Sequence, residues 1–486
     1  MERIFRLISL HQWKILLLAS IALVTCGSVF MAWYMKVRIF YAVPVLMVGA
    51  LQVIYNYKPL FYLCLASIPI SLQVEMGGGF TLDVASEPLM LVLLGVFTIN
   101  LVAGKQFRLR KKVSGFHIFI FLLIFWTFFT MITSEFVFRS FKFLLAKVWY
   151  LTTFVYIAGD VIKSPKQVRN VFWAFFIPMA LATTAITIEH ALLGFAFEFA
   201  HGVAYPLFQN GVIYATCLVL FIPWCWYARS WYTPKSLEWY IINIGMGIMI
   251  VATIFTFKRA AWAALIILPI IDQAIKRKIF DKLLYAFVII ATITLAWLVH
   301  DNTFYQFAPN YQKVIWHEGD ISGHLEATLS GTEISGMERF YRWVAAKNMI
   351  ADMPFFGSGP STFNQVYKRY TDDAFRTYVS DNPEQSTTHN YFLLTFSEQG
   401  FPGGLLFIAM VLYMLLSAAW LYPKVKDDND LRSILMLSLL SFSTILFHSL
   451  LNEIIEVDKI GPMFFLNMLL IHKVGLWHEN RIIHEG

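Results

Sequence analysis

The sequence predicts an all-α, polytopic membrane protein of about 12–14 transmembrane helices, with one long loop domain on the outer side. Hydrophobic residues make up 58% of its 486 residues and charged residues only 14%, and its mean hydropathy is +0.61. An average soluble domain carries about 25% charged residues, so this chain cannot cover a globular surface with polar groups. The composition excludes soluble enzymes, secreted disulfide scaffolds and disordered chains.

Apolar segments of membrane-spanning length, about 17–25 residues, recur along the chain. They lie near 13–34, 39–56, 59–74, 86–104, 115–132, 141–161, 170–190, 211–228, 238–257, 260–275, 283–300, 403–422, 433–452 and 460–474. The first is too long for the apolar part of a cleaved signal peptide. The third is short and contains Pro69 before Met76-Gly-Gly-Gly-Phe80, so a re-entrant segment is an alternative there.

Basic residues occupy every second loop. The groups are Lys105, Arg108, Arg110, Lys111 and Lys112; Lys163, Lys166 and Arg169; Arg229 and Lys235; Lys276, Arg277, Lys278 and Lys282; and Lys424, Lys426 and Arg432. Lys and Arg collect in cytoplasmic loops, so these loops and both termini are predicted to be cytoplasmic. The net charge of +7 therefore reports topology, and no nucleic-acid partner is predicted.

This orientation divides the chain into three parts: transmembrane helices in 1–300, an outer segment at 301–388, and C-terminal transmembrane helices in 389–486. Loops as long as the outer segment are usually functional. Residues 317–335 are predicted to be irregular. Apolar residues at helical spacing predict a helix over 337–352, and a second amphipathic helix is expected around 362–370, lying on the outer leaflet.

The four cysteines lie inside apolar runs without metal-ligand spacing, so they are interpreted as core residues and no metal or cofactor is predicted. They are Cys26, Cys64, Cys217 and Cys225.

Cations on the outer side oppose the topology rule. Lys258 and Arg259 separate two spans there, and either extend to lipid phosphate or form an anion site. Arg339 and Arg342 are three residues apart, on one face of the predicted helix. That face is either solvated or binds a diphosphate, because guanidinium groups bind phosphate bidentately.

His389 opens an apolar segment directly after the outer segment. It is either structural or a general base, since imidazole accepts a proton near neutral pH. Asn390 follows it as a possible substrate-binding residue. Arg139 and Lys142 place further cations at an outer helix end, along a possible path for a lipid diphosphate.

Acidic residues cluster at the outer end of the penultimate span, where Glu453 precedes Glu456 and Asp458. They could bind sugar hydroxyls or Lys459. The sequence contains no Gly-rich phosphate loop and no outer Asp-x-Asp motif, so no nucleotide-sugar chemistry is predicted.

Three motifs resemble the O-antigen ligase and polymerase superfamily. His389-Asn390, nine residues and Gly400-x-x-Gly403 are similar to the ligase signature His-Asn-x9-Gly-x-x-Gly. Lys258-Arg259-Ala260 resembles the family's Ser-Arg-(Gly/Ala) turn, with Lys in place of Ser.

The third motif runs from Ser335 to Pro360 and is similar to the family stretch Ser-Arg…Trp…Asp-x-Pro-x-x-Gly-x-Gly-Pro. Arg339, four residues before Trp343, takes the place of the family arginine, although Met337-Glu338 are additional residues before it. The resemblance covers about 240–420, and the first 230 residues match only in hydropathy.

The resemblance implies a GT-C-like, metal-independent, inverting glycosyltransferase of the bacterial inner membrane, facing the periplasm. The donor would be a glycan on undecaprenyl diphosphate. Arg259 and Arg339, with Lys258 and Arg342 beside them, would bind the diphosphate. His389 would activate the acceptor hydroxyl.

The acceptor stays open. A ligase transfers the glycan to lipid A–core, a polymerase to the next lipid-linked repeat and a protein glycosylase to a serine; the His-Asn-x9-Gly-x-x-Gly spacing favours the ligase. A lipid-linked sugar transporter or flippase is the alternative from another class. Few charges lie inside the spans, against the transporter pattern, whereas prolines at 44, 178, 223 and 269 are compatible with kinked transporter helices.

Overall fold

The structure is a computed structural model that describes Gly27 and residues 56–77, 80–103, 114–308, 334–377, 380–382 and 385–485. Several sequence predictions therefore lie outside the described residues. These are the spans at 13–34 and 39–56 apart from Gly27 and Asn56, the basic loop at 105–112, and the part of the irregular stretch at 317–333.

Helices dominate the described chain. In chain order they are α1 Lys58–Ser67, α2 Ser86–Val102, α3 Gly115–Ile132, α4 Val137–Val161, α5 Pro165–Leu192, α6 Gly211–Ala228, α7 Leu237–Phe255, α8 Arg259–Lys276, α9 Phe280–Val299, α10 Ile334–Asp352, α11 Phe363–Val366, α12 Tyr391–Val425, α13 Asn429–Ser449 and α14 Gly461–Glu485. A π-helical stretch, Thr152–Ile157, interrupts α4.

Eight of these helices, α3–α7, α9, α12 and α13, are long and apolar enough to cross a membrane, counted over the described residues. The helices α1 and α2 are apolar but shorter, while α8 and α14 also coincide with predicted spans. The prediction of an all-α polytopic membrane protein is confirmed.

The predicted span at 59–74 ends early. The helix α1 and a 3-10 turn at Ile68–Ile70 together make an apolar segment Lys58–Ile70, about 20 Å long against a hydrocarbon core of about 30 Å. An antiparallel hairpin follows, with β1 at Leu72–Gly77 and β2 at Phe80–Val84. Pro69 lies in the 3-10 turn and has no N–H to continue a helical hydrogen-bond ladder.

The centre of the bundle is the pair α6 and α13, in each of which 89% of an 18-residue apolar stretch is buried. A helix that is apolar all round belongs in such a core. Asn467 on α14 links the pair, accepting a hydrogen bond from Trp224 Nε1 at 3.2 Å and donating one to Ser441 Oγ at 2.9 Å. The helix α9, by contrast, has a single buried residue, Phe280, so within the described chain it lies at the edge of the bundle.

The outer segment forms a small core of its own. The predicted helix at 337–352 is observed as α10, and the one at 362–370 as α11 continued by a 3-10 turn at Tyr367–Tyr370. The apolar faces of these elements pack on Phe304, Phe375 and Leu394. Since Leu394 belongs to α12, this core fixes the outer segment to the start of a membrane helix.

Candidate functional site

His389 lies at the turn between the outer segment and α12. Its φ of +51° is uncommon for a residue with a side chain, and neighbouring hydrogen bonds hold the turn. Trp343 Nε1 donates to the carbonyl of Thr388 at 2.7 Å. Asn390 caps α12 by accepting from Leu393 N at 3.0 Å, and its amide donates to the carbonyl of Leu450 at 3.1 Å. Backbone groups thus hydrogen bond to both the oxygen and the nitrogen of the Asn390 amide. The sequence had predicted that this side chain binds substrate.

Charged groups from two other elements face His389. Glu453, in the loop between α13 and α14, brings its Oε2 to 3.7 Å from Nδ1 of the imidazole. Burial is the largest cause that lowers the pKa of His389 below its usual 6.5. Glu453 and a hydrogen bond to Asn452 oppose this shift, whereas Arg342 and Arg339 add to it. The imidazole is therefore neutral near pH 7, the state a general base needs.

Arg342 does not lie on a solvated face. It is 5% exposed, and its Nη1 donates to Asn382 Oδ1 at 3.4 Å. One turn back, the buried Glu338 accepts hydrogen bonds from Thr377 and Ser380. Glu338 thereby holds Thr377 and Ser380 against α10, a role that no pattern in the sequence indicated.

The glycine motifs lock the outer segment onto α12. Gly359 N donates to the carbonyl of Glu398 at 2.8 Å, and Phe401 N donates to the carbonyl of Pro354 at 2.8 Å. Gly400 has a φ of +68°, and a Cβ there would lie 2.2 Å from the carbonyl oxygen of Phe355. No side chain fits this contact. The motif glycines therefore act through architecture, by seating the helix whose first turn follows His389.

A cavity of about 670 Å³ lies beside this cluster. Its walls come from the hairpin, α2, the first turns of α4, the chain before α6, the outer segment and the loop between α13 and α14. The lining residues are Gln73, Asp83, Glu87, Phe138, Arg139, Lys142, Phe143, Ala146, Trp149, Tyr150, Pro206, Leu207, Gln209, Ile213, Ser361, Gln385, Glu456, Val457, Asp458 and Lys459. Arg139 and Lys142, singled out from the sequence, are thus in one cavity.

The acidic residues after α13 separate instead of forming one cluster. Glu453 faces His389. Glu456 pairs with Lys147 at 2.5 Å and accepts a hydrogen bond from Tyr391. Asp458 accepts from Tyr150, and burial, followed by the charge of Glu87, raises the pKa of Asp458.

Lys459 is held apart from these carboxylates. Its Nζ donates to Ile68 O, Ser71 O and Ser71 Oγ, each at 2.9 Å. Burial lowers the pKa of Lys459, and the charge of Asp458 is among those that oppose this shift, so the acidic residues act on Lys459 through charge and not through these hydrogen bonds.

Lys258 lies behind one wall of the cavity. Its Nζ is 3.5 Å from His201 Nδ1, and its Cε would be 3.1 Å from a Cβ placed on Gly211. The chain leading to Gly211 contributes Pro206, Leu207 and Gln209 to the cavity. Burial, and then the adjacent Arg259, lower the pKa of Lys258.

Two links join the His389 cluster to the cavity. Gln385 lines the cavity and precedes His389 by four residues. On the other side, Tyr391 hydrogen bonds to the cavity residue Glu456. Glu453 thus faces His389, the charges of Arg339 and Arg342 act on the same imidazole, and Arg139 and Lys142 line the neighbouring cavity. The convergence of Arg259 on His389 stays a prediction.

Among the described residues, no group of three or more His, Cys, Asp or Glu side chains is arranged to hold a metal ion.

Part of the chain is similar to a known family. A family model described as O-antigen ligase matches residues 244–408, whereas the comparison with curated proteins finds no match. The matched range contains Lys258, Arg259, Arg339, Arg342 and His389. Arg139, Lys142 and Glu453 lie outside it.

The match supports a glycan-transferring membrane enzyme related to lipopolysaccharide synthesis. It confirms, over residues 244–408, the resemblance to the O-antigen ligase and polymerase superfamily that was drawn from the three motifs.

Proposed function

We propose that this protein transfers a glycan from undecaprenyl diphosphate to a hydroxyl group on the periplasmic side of the bacterial inner membrane, with lipid A–core as the acceptor. The observation that carries the proposal is the cluster at the start of α12. There a neutral His389 faces Glu453 and the two arginines of α10, and all but Glu453 belong to the matched domain.

The transfer is one inverting displacement. The acceptor oxygen attacks the anomeric carbon of the glycan, and the bond from that carbon to the diphosphate oxygen breaks. The proton of the hydroxyl passes to His389, while the bonding electrons leave with undecaprenyl diphosphate. No metal or cofactor takes part in the proposed step.

The arginines supply the second half of the chemistry. Charge grows on the diphosphate as its bond to the sugar breaks, and donors fixed before the reaction stabilise such charge. Arg259 and Arg339 are proposed to bind the diphosphate, with Lys258 and Arg342 adding positive potential. Guanidinium suits this task because it stays charged and binds two phosphate oxygens at once.

The cavity suits the glycan. Its volume of about 670 Å³ lies within the usual 300–1,000 Å³ of ligand sites. Arg139 and Lys142 are part of its lining and are proposed to lie on the path of the lipid diphosphate. Asp83, Glu87 and Asp458 add carboxylates to the same lining, and sugar hydroxyls donate hydrogen bonds to such groups.

The direct test is reconstitution. Purified protein in liposomes receives undecaprenyl-diphosphate-linked glycan together with lipid A–core, and products are separated by gel electrophoresis and mass spectrometry. Glycosylated lipid A–core, formed equally well in the presence of EDTA, is the expected result. Lengthened lipid-linked glycan instead would identify a polymerase, and a glycosylated serine on added periplasmic protein a protein glycosylase.

Cells that lack the protein provide the complementary test. Accumulated lipid-linked polymer that never reaches lipid A–core supports the ligase, and accumulated single repeats support the polymerase. If the protein is a flippase, cells that lack it would keep the lipid-linked donor on the cytoplasmic leaflet. The purified protein would then form no new glycosidic bond. The last outcome would overturn the proposed function.

A further inference from the structure

We propose that Glu453 is the positioning residue of His389: it orients the imidazole and stabilises the imidazolium that forms when His389 takes the acceptor's proton. This inference rests on the proposed function, because it needs His389 to act as the base. It extends the site beyond residues 244–408, since Glu453 lies between α13 and α14.

The two oxygens of Glu453 are held differently. Oε1 accepts from the backbone N–H of Thr387 at 3.4 Å, which ties the carboxylate to the chain just before His389. Oε2 is buried and has no hydrogen-bond partner within the described part of the chain, and it lies 3.7 Å from Nδ1 of His389. A buried carboxylate oxygen without a partner is costly, so its placement opposite an imidazole needs a reason.

Proton transfer supplies that reason. At 3.7 Å the contact is longer than a hydrogen bond, and catalytic hydrogen bonds are often long before substrate binds. Once the imidazole becomes positively charged, attraction to the carboxylate shortens the contact. A hydrogen bond to a charged group is stronger than a neutral one. Glu453 therefore stabilises His389 more during the reaction, when the imidazole is charged, than in the resting enzyme.

The surrounding charges make this carboxylate necessary. Arg339 and Arg342 on α10 both lower the pKa of His389, as burial does. Only Glu453 and a hydrogen bond to Asn452 act in the opposite direction among the causes that shift this group. An imidazolium between two arginines, without Glu453, would be disfavoured, and proton transfer would slow.

The test is Glu453→Gln, which keeps an oxygen for Thr387 N but removes the negative charge. We expect kcat to fall on the order of 10- to 100-fold, less than the ~10²–10⁴ that a general base contributes. The KM for undecaprenyl-diphosphate-linked glycan should not change. Because Glu453 raises the pKa of His389, its loss should move the acid limb of the kcat profile to lower pH.

The matched control is Asp381→Asn, which removes one carboxylate from the outer segment at a side chain that is 88% exposed. It should keep the wild-type rate and pH profile. A lower rate in Glu453→Gln with an unshifted acid limb would show a merely structural role and overturn the proposal.

A double variant separates this inference from the proposed function. In the His389→Ala background, Glu453→Gln should cause no further loss, because residues that act as one unit are not additive. Full loss in His389→Ala together with wild-type kinetics in Glu453→Gln would reject the role of Glu453 and leave the proposed function intact. Wild-type turnover in His389→Ala would reject both.

Discussion

The His389 cluster and the cavity beside it differ in charge and in origin. The cluster sets one carboxylate against two arginines around a buried imidazole. The cavity instead carries carboxylates from the hairpin, α2 and the loop after α13, with cations from α4. Apart from Glu453, the cluster lies in the matched domain, whereas only Ser361 and Gln385 of the cavity do. Under the proposed function, most reacting groups lie in the matched range, whereas the cavity proposed for the glycan is built mainly from the rest of the chain.

The largest effect should come from His389→Ala. Loss of a general base typically lowers the rate by ~10²–10⁴, while binding of the lipid-linked donor should stay normal. Turnover and donor binding, measured separately on reconstituted protein, check this. A variant that binds donor poorly but turns over at the wild-type rate when saturated would place His389 in recognition.

Arg259→Lys should come next. If the guanidinium of Arg259 binds two phosphate oxygens at once, the ammonium group of a lysine cannot make the same paired contact and supplies only a point charge. Hydrogen bonds to charged groups contribute about 1.5–3 kcal/mol each, so a loss of about 10- to 100-fold in kcat/KM is expected. Arg277→Lys, at the opposite end of α8, is the control and should remain active. Equal activity of both variants would show that Arg259 acts only by general electrostatic attraction and not by paired hydrogen bonds to phosphate.

Arg139→Ala and Lys142→Ala should sharpen the comparison with a smaller effect. Both side chains are exposed, and ion pairs formed by exposed groups contribute about 0–1 kcal/mol, so the donor KM should rise no more than about fivefold. The value of kcat should stay unchanged. Lys163→Ala, beyond the far end of α4, is the control for lost charge. A fall in kcat at constant KM would show that these cavity residues act in the reaction itself, and the two regions would then not differ in role.

The smallest effect near neutral pH concerns the acid limb of transfer activity. His389 must be neutral to accept a proton, and burial lowers its pKa below 6.5. Activity should therefore be level at pH 7 and fall to one half only below pH 6.5, by about tenfold per further unit. Initial rates between pH 5 and 8 measure this. A midpoint at or above 6.5 would contradict a buried, arginine-flanked base.

Much of the fold follows from local patterns in the sequence. Apolar length predicted the helices α3 to α9, and helical spacing predicted α10, because both properties depend on neighbouring residues. The predicted span at 59–74 ends early for the same reason. Hydropathy counts apolar residues, and it does not show where a short helix ends and an apolar hairpin begins. Gly400 and Gly359 were visible in two sequence motifs. The contact between the two motif segments was not visible.

The candidate site was predicted in part. His389, Arg339 and Arg342 stand out in the sequence, and the structure brings them together. Glu453 was noted only as one of three outer carboxylates, and Glu338 only as an additional residue before Arg339. Nothing in their spacing indicates that one faces an imidazole and the other holds the outer segment.

The sequence alone therefore determined that this is a helical membrane protein with a long polar segment at 301–388 and the motifs of one superfamily, because hydropathy, periodicity and motif spacing are properties of consecutive residues. The tertiary structure alone decided which charges meet. Thr387 and Glu453 are 66 residues apart and Lys147 and Glu456 are 309 apart, and such pairs form only when packed helices bring their ends together. A buried charge depends on its partner, so the partner, and with it the role of Glu453, had to come from the packing of α12 against the loop between α13 and α14.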